Sequence, residues 1–153
     1  MSFDHIDRAA RFAVSYALLR TAADIADHWV QSDHQATTKG QHDDPEHGHT
    51  AAAGRRACAA HVASYAAVQA AALLLGTRTL GIRLRPSRAA AALALSALTH
   101  YAADRRRPLK HLAERTGKAR FYGLADHGMN GAYLLDQAWH HGWETAAALI
   151  AAA

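Results

Sequence analysis

Cysteine is nearly missing from this chain: Cys58 is the only one in 153 residues. A lone cysteine excludes an intramolecular disulfide framework and fits a reducing compartment. It lies in an alanine-rich run and reads as a small core residue rather than a reactive thiol. Prolines number three and aromatics make up only 7%. With so few aromatic residues there is no strong strand signal. Also missing are a Gly-x-Ser-x-Gly turn, a phosphate-cradling glycine loop and a His-Glu-x-x-His helix. The N-terminus reads Met-Ser-Phe-Asp-His-Ile-Asp. It is acidic rather than basic, so no secretory signal is expected and a cytoplasmic location is.

Alanine supplies much of the hydrophobic half of the chain. It is the best helix former and brings little apolar area. The composition therefore predicts closely packed helices. The length fits one domain, residues 1–153, with a real core. Net charge is +4 with its twelve histidines neutral, so the charge is pH-sensitive. The positive charge gathers at Arg55-Arg56, at Arg78, Arg83, Arg85 and Arg88, and at Arg105-Arg106-Arg107 with Lys110. Solvated helix ends are one reading of these clusters. Contact with nucleic acid or an anionic surface is the other. No aromatics interleave with the arginines, which argues against single-strand binding.

The expected fold is all-α: a single-domain antiparallel bundle of four to five helices, with a long His-rich loop after the first. Phe12, Ser15, Tyr16, Leu19 and Ala22 give helical spacing up to about Gln31. Residues 32–54 hold Gly40, Asp43-Asp44-Pro45, Gly48 and Gly54, and predict a flexible loop. A second helix is expected from Arg55 to Leu75, ending at Gly76. A third starts near Pro86 or Ser87 and reaches about Arg106. Pro108 opens a short helix ending at Gly117. The last long helix covers about Gly123 to Ala152. Short connections favour antiparallel neighbours.

One run raises the question of a membrane. Ala57 to Thr77 carries no formal charge and is long enough to span a bilayer. It also contains His61, Ser64 and Gln69, and mean hydropathy over the chain is slightly negative. A soluble or peripheral bundle is the favoured expectation, with a small integral membrane protein as the alternative.

The chemistry-bearing pattern is a His/Asp pair repeated at helical spacing. His100 and Asp104 stand at i and i+4; Asp136 and His140 repeat the spacing in reverse order. Residues four apart share one helix face. Asp27, with Asp24 or Gln31 beside it, and His61 complete the candidates. Asp126-His127 lies further up the last segment. Each pair alone could be a surface ion pair, and His61 a core histidine bonded to a carbonyl. Together they sit on apolar faces, where charge needs a partner. A divalent metal, Zn, Mn or Fe, would satisfy Asp27, His61, His100, Asp104, Asp136 and His140 as ligands. A hydrogen-bonded network would satisfy them too.

The run Ala26-Asp27-His28-Trp29-Val30-Gln31-Ser32-Asp33, with Lys39 following, resembles the Ala-Asp-Phe-x-x-Gln-Thr-Asp signature and lysine of the domain of unknown function 3307 family. His61, the His100-x-x-x-Asp104 helix and Leu135-Asp136-Gln137-Ala138-Trp139-His140 follow in that family's order. Two positions depart: Ala23 stands where the family places a histidine, and His28 stands in place of phenylalanine. The resemblance implies a small helical protein of bacteria or phages, often membrane-embedded, with a polar cluster. It implies no particular reaction.

Three functions follow as expectations. The first is a metal-dependent hydrolase acting on a small molecule such as a phosphoester or an amide, with Asp27 and Asp104 in catalytic roles. The second is a non-catalytic helical module that binds nucleic acid, a partner or a membrane surface through its basic loops. The third is a small integral membrane protein.

Overall fold

The structure, a computed structural model, describes residues 3–153, with side chains from residue 7 onward. It is all-α. Among the described residues there is no strand, only one isolated bridge between Asp44 and His49. In chain order the helices are α1 (Phe3–Ile25), α2 (Asp33–Thr38), α3 (Ala51–Thr79), α4 (Pro86–Asp104), α5 (Arg107–Arg115), α6 (Ala119–Tyr122) and α7 (Gly131–Ala152). The four long ones, α1, α3, α4 and α7, form a closed ring in which each packs on two neighbours.

Cross-helix contacts fix the direction of each neighbour. Arg11 meets Ala152 while Arg20 meets Glu144. Asp27 meets His61 while Leu19 meets Gln69. Cys58 meets Tyr101, His61 meets His100, and Tyr65 meets Ser96. Numbers rise on one helix as they fall on the next, so these neighbours run antiparallel. Ala92 shares a cluster with Ala147 and Ala148, and His100 stacks on His140, so α4 and α7 run antiparallel as well.

The interior is layered along the bundle. One end is apolar: Leu19, Leu73, Ala92, Ala147, Ala148 and Ala151 are buried, with Phe12, Tyr16 and Leu18 packed against them. Burying a leucine there contributes roughly 1.5–3 kcal/mol. The alanines add little area each, and their small size lets the helices approach. The other end is polar, and α3 carries the change along one stripe. Its inward positions run Gly54, Cys58, His61, Tyr65, Gln69, Leu73 and Thr77.

Several boundaries differ from the sequence reading. Residues 32–54 are not a featureless loop. Ser32 and Gln35 form a capping box that starts α2, and Pro45–His47 is a 3-10 turn. Helix α3 begins at Ala51, where the Thr50 hydroxyl accepts from the Ala53 amide. It also passes through Gly76. That glycine faces Leu18, and the left-handed turn falls at Gly81 (φ 67°) instead. A glycine can mark close approach as well as a stop. Helix α4 ends at Asp104 rather than Arg106. Helix α7 begins at Gly131, capped by Asn130, so Asp126 and His127 lie in an exposed loop. Two short helices, α2 and α6, were not expected.

Candidate metal centre

Four elements deliver the cluster. Asp27 comes from a π-helical turn, Ala26–Val30, that continues α1. A π turn is wider than an α turn and re-aims the side chains that follow it. His61 comes from α3, His100 and Asp104 from α4, and Asp136 and His140 from α7. The structure brings all six near one another. Three overlapping groups have potential ligand atoms within 4.8 Å of each other: Asp27, His100, His140; His61, His100, Asp104; and Asp104, Asp136, His140.

The tightest contacts converge on two imidazole nitrogens. His61 Nε2 lies 3.0 Å from His100 Nε2 and 3.1 Å from Asp27 Oδ1. His100 Nε2 lies 3.1 Å from Asp104 Oδ2 and 3.4 Å from Asp27 Oδ1. Both imidazoles are buried. Asp104 Oδ2 is buried with no hydrogen-bond partner of adequate geometry, although both nitrogens face it. An orphaned carboxylate oxygen costs free energy unless a cation or donor meets it. Two nitrogens and two carboxylate oxygens aimed inward form a donor set suited to a borderline divalent cation. The buried His/Asp groups can hold a metal ion.

The electrostatics favour the ligand form of Asp27, Asp104 and His100. Burial disfavours charge on Asp104. The close approach and field of His100, with Lys39 Nζ at 2.7 Å from Oδ1, outweigh that and hold the carboxyl far below the usual range. Asp27 shows the same balance: burial opposes charge, but the His61 hydrogen bond and the fields of His100, His140 and Lys39 lower its pKa. Burial pushes His100 below the ordinary histidine value despite Asp104, which favours neutral imidazole. His140 is also penalised by burial, yet its hydrogen bond and charge contact with Asp136 raise it.

A polar layer behind the cluster escaped the sequence reading. Tyr65 donates to Glu144 Oε1 at 3.1 Å, and Arg20 bonds both Glu144 oxygens. Gln69 donates to the Tyr65 oxygen at 3.0 Å and to the Leu19 carbonyl. The Tyr65 ring packs on His100 with centroids 3.9 Å apart, and His100 stacks on His140 at 4.3 Å. Burial, then the Glu144 charge, drives the Tyr65 pKa well up and keeps the phenol neutral. The one available signal was spacing: Tyr65 follows His61 by four, and Glu144 follows His140 by four.

The cluster opens on one side into a cavity of about 490 Å³. Asp27, Asp104 and Asp136 meet it from the bundle, with Lys39, Arg106, Tyr122 and Tyr133 around the wall. Side-chain exposure grades from 5% at Asp104 to 13% at Asp27 and 24% at Asp136, so the last two face the opening. Of the suggested helpers, Gln31 lines this cavity. Asp24 instead pairs with Arg20 on the exposed side. Asp126 and His127 bond each other in solvent.

The arginine triplet divides by role. Arg105 is buried, not solvated: its guanidinium donates to the carbonyls of Lys39 and Gln41. His42 returns a contact to the Arg105 carbonyl at 3.1 Å. This clamp fixes the segment that carries Lys39. Arg106 has φ 59°, a conformation that is costly for a side chain with a Cβ, at about 1–3 kcal/mol. Arg107 is exposed. Cys58 is buried, donates weakly to the Tyr101 carbonyl, and has its thiol pKa pushed up to about 12 by burial and then Asp104.

Compared with known proteins, the chain matches no family model, no curated protein and no solved structure.

Proposed function

We propose that the protein is a metal-dependent hydrolase whose divalent ion is held by the interior His/Asp cluster. The observation that carries this reading is the orphaned Asp104 Oδ2 facing two imidazole nitrogens that themselves lie 3.0 Å apart. His61, His100 and Asp104 are the proposed core ligands, all buried. Asp136 and His140 share Asp104 as a neighbour and form the opposite wall. Zinc, manganese or iron suits the mixed nitrogen and oxygen set. Such an ion supplies Lewis acidity and a water ionisable near neutral pH.

The protein's own groups would divide the remaining tasks. Lys39 holds Asp104 ionised and oriented through its 2.7 Å contact. Asp27 faces both the imidazoles and the cavity, and takes the proton that an entering water gives up. Asp104, expected as a second catalytic group, fits a ligand role better because its other oxygen is engaged by Lys39. The substrate enters from the cavity side, where water also enters.

The resemblance to the domain of unknown function 3307 family belongs to the same proposal. It rests on motif order, and its lysine, Lys39, touches Asp104. A metal-free structural network is the second reading, supported by contacts from Asp27 through His61 and His100, whose ring packs on Tyr65, and on through Glu144 to Arg20. For location, one helix among the described residues, α3, is long and apolar enough to cross a membrane. Only 28% of its apolar window is buried, but its inward stripe of His61, Tyr65 and Gln69 faces the other helices, and that polar stripe supports a cytoplasmic or peripheral protein.

Elemental analysis of protein purified without a histidine tag tests the metal, and turnover of p-nitrophenyl phosphate or an anilide with added manganese tests the reaction. Near-stoichiometric metal that is lost in His100→Ala is expected. Asp27→Asn should keep the metal and lose turnover by roughly 100-fold or more. A metal-free preparation that stays metal-free on addition of zinc, manganese or iron would overturn the reading.

A further inference from the structure

The cavity wall contains one cation that nothing in the bundle neutralises. Lys39 is paired with Asp104, and Arg105 is spent on two carbonyls. No carboxylate claims the Arg106 guanidinium among the described residues, yet Arg106 lines the cavity. The side chain is exposed and sits between this cavity and a second pocket that includes Gly40, but its backbone and packing are specific. The backbone at Arg106 takes φ 59°, where glycine would be favoured, and an arginine stands there instead. The side chain lies across Gly40: a Cβ at that glycine would collide with the Arg106 Nε, Cδ and Cζ atoms. Gly40 therefore leaves a groove for the arginine, and the Arg105 clamp holds that groove in place.

The balance of charge says what the arginine faces. Asp27, Asp104 and Asp136 outnumber Lys39 and Arg106 by one among the lining side chains, and only His140 behind Asp136 offsets the third carboxylate, so the empty cavity does not attract anions. A divalent ion among the aspartates makes the balance positive. An anion then finds the metal on one side and a planar guanidinium fork on the other. The fork matches two oxygens of a phosphoryl group. A volume of about 490 Å³ suits a small ligand rather than a polymer.

We infer that Arg106 is the anion-recognition residue of this cavity, and that the ligand it selects is a small phosphate monoester. The inference rests on the metal reading above, because without the ion the cavity has no excess of positive charge. Tyr122, close enough to feel both Arg106 and Asp136, lies beside the same position.

The test uses the full chain loaded with manganese and inorganic phosphate as the probe. Millimolar phosphate should raise the melting temperature of the wild type by several degrees. Arg106→Gly relieves the strained backbone, so this variant should melt at or above the wild type and lose the phosphate response. Gly40→Ala keeps the arginine but displaces its fork, and phosphate affinity should fall about tenfold or more. Arg107→Gln, which removes an exposed neighbouring charge, should keep the full response. Manganese retained in all variants with an unchanged phosphate response in Arg106→Gly overturns the anion site and leaves the metal reading standing. Failure of the wild type to retain manganese overturns both.

Discussion

The Nε2 atoms of His61 and His100 lie 3.0 Å apart although the residues are 39 positions apart in the chain. Only one of two facing imidazole nitrogens can donate, and each also has an aspartate oxygen within 3.1 Å. A cation on both nitrogens and Asp104 Oδ2 would satisfy these buried atoms at once and leave Asp27 free; protons satisfy them only in part. A metal at 100 times its Kd should therefore stabilise the fold by about 2.7 kcal/mol. For a chain of this size that is about 5–10 °C in melting temperature. Differential scanning calorimetry with and without zinc or manganese reads the shift, and His61→Ala should abolish it.

Replacing Asp104 by asparagine removes the charge between Lys39 and His100 while keeping the shape. Lys39 is only 14% exposed in its side chain, so it is left largely buried and unpaired. The cost should be about 3 kcal/mol. Urea denaturation of the metal-free protein measures it. A Lys39→Met, Asp104→Asn double variant should recover part of the loss, since no lone charge remains.

The pH dependence of the metal-free protein has separable limbs. Asp27 and Asp104 have lowered pKa values, so their stabilisation is present above the unfolded value of about 3.9 and is lost as pH falls through the folded values. His140 is raised, so its stabilisation is full below about 6.5 and fades as pH climbs through its folded value. The deficit of His140→Gln relative to wild type should thus be larger at pH 5.5 than at pH 8. His100 is lowered and works the other way: its neutral form is favoured, and stability declines as pH falls below about 6.5. Denaturation midpoints across this range, taken for each variant, resolve the opposing slopes.

Two glycine substitutions should move stability in opposite directions. A Cβ at Gly54 would run into the Gln41 carbonyl and the Arg105 guanidinium, where backbone cannot yield cheaply. Gly54→Ala should cost about 1–3 kcal/mol and loosen the segment bearing Lys39. A Cβ at Gly142 meets nothing, and the residue lies inside α7. Gly142→Ala should gain about 0.5–1 kcal/mol through helix propensity alone. Thermal melts of the two single variants give both signs.

The helical class and the six clustered residues were legible because their signals are local. An i, i+4 pair such as His100-Asp104 shows on one helix face whatever that helix packs against. The supporting residues were harder to see for the opposite reason. Glu144 has no partner on its own helix; its partners Arg20 and Tyr65 lie on two other helices. The segment 32–54 looked loose because its order comes from distant Arg105, not from its own apolar content. Gly76 read as a stop because sequence does not distinguish a glycine needed for backbone freedom from one needed for Leu18 to fit.

The layered interior separates two jobs along one axis. Leu19, Leu73 and the alanines near Ala148 hold the helices in register at one end, while the ionisable residues gather at the other. A change of ligand at the open end therefore leaves the apolar contacts between the helices in place, provided that buried partners such as Lys39 change with it. A scaffold of this kind tolerates new reactions more readily than one whose reactive groups are threaded through its only source of cohesion.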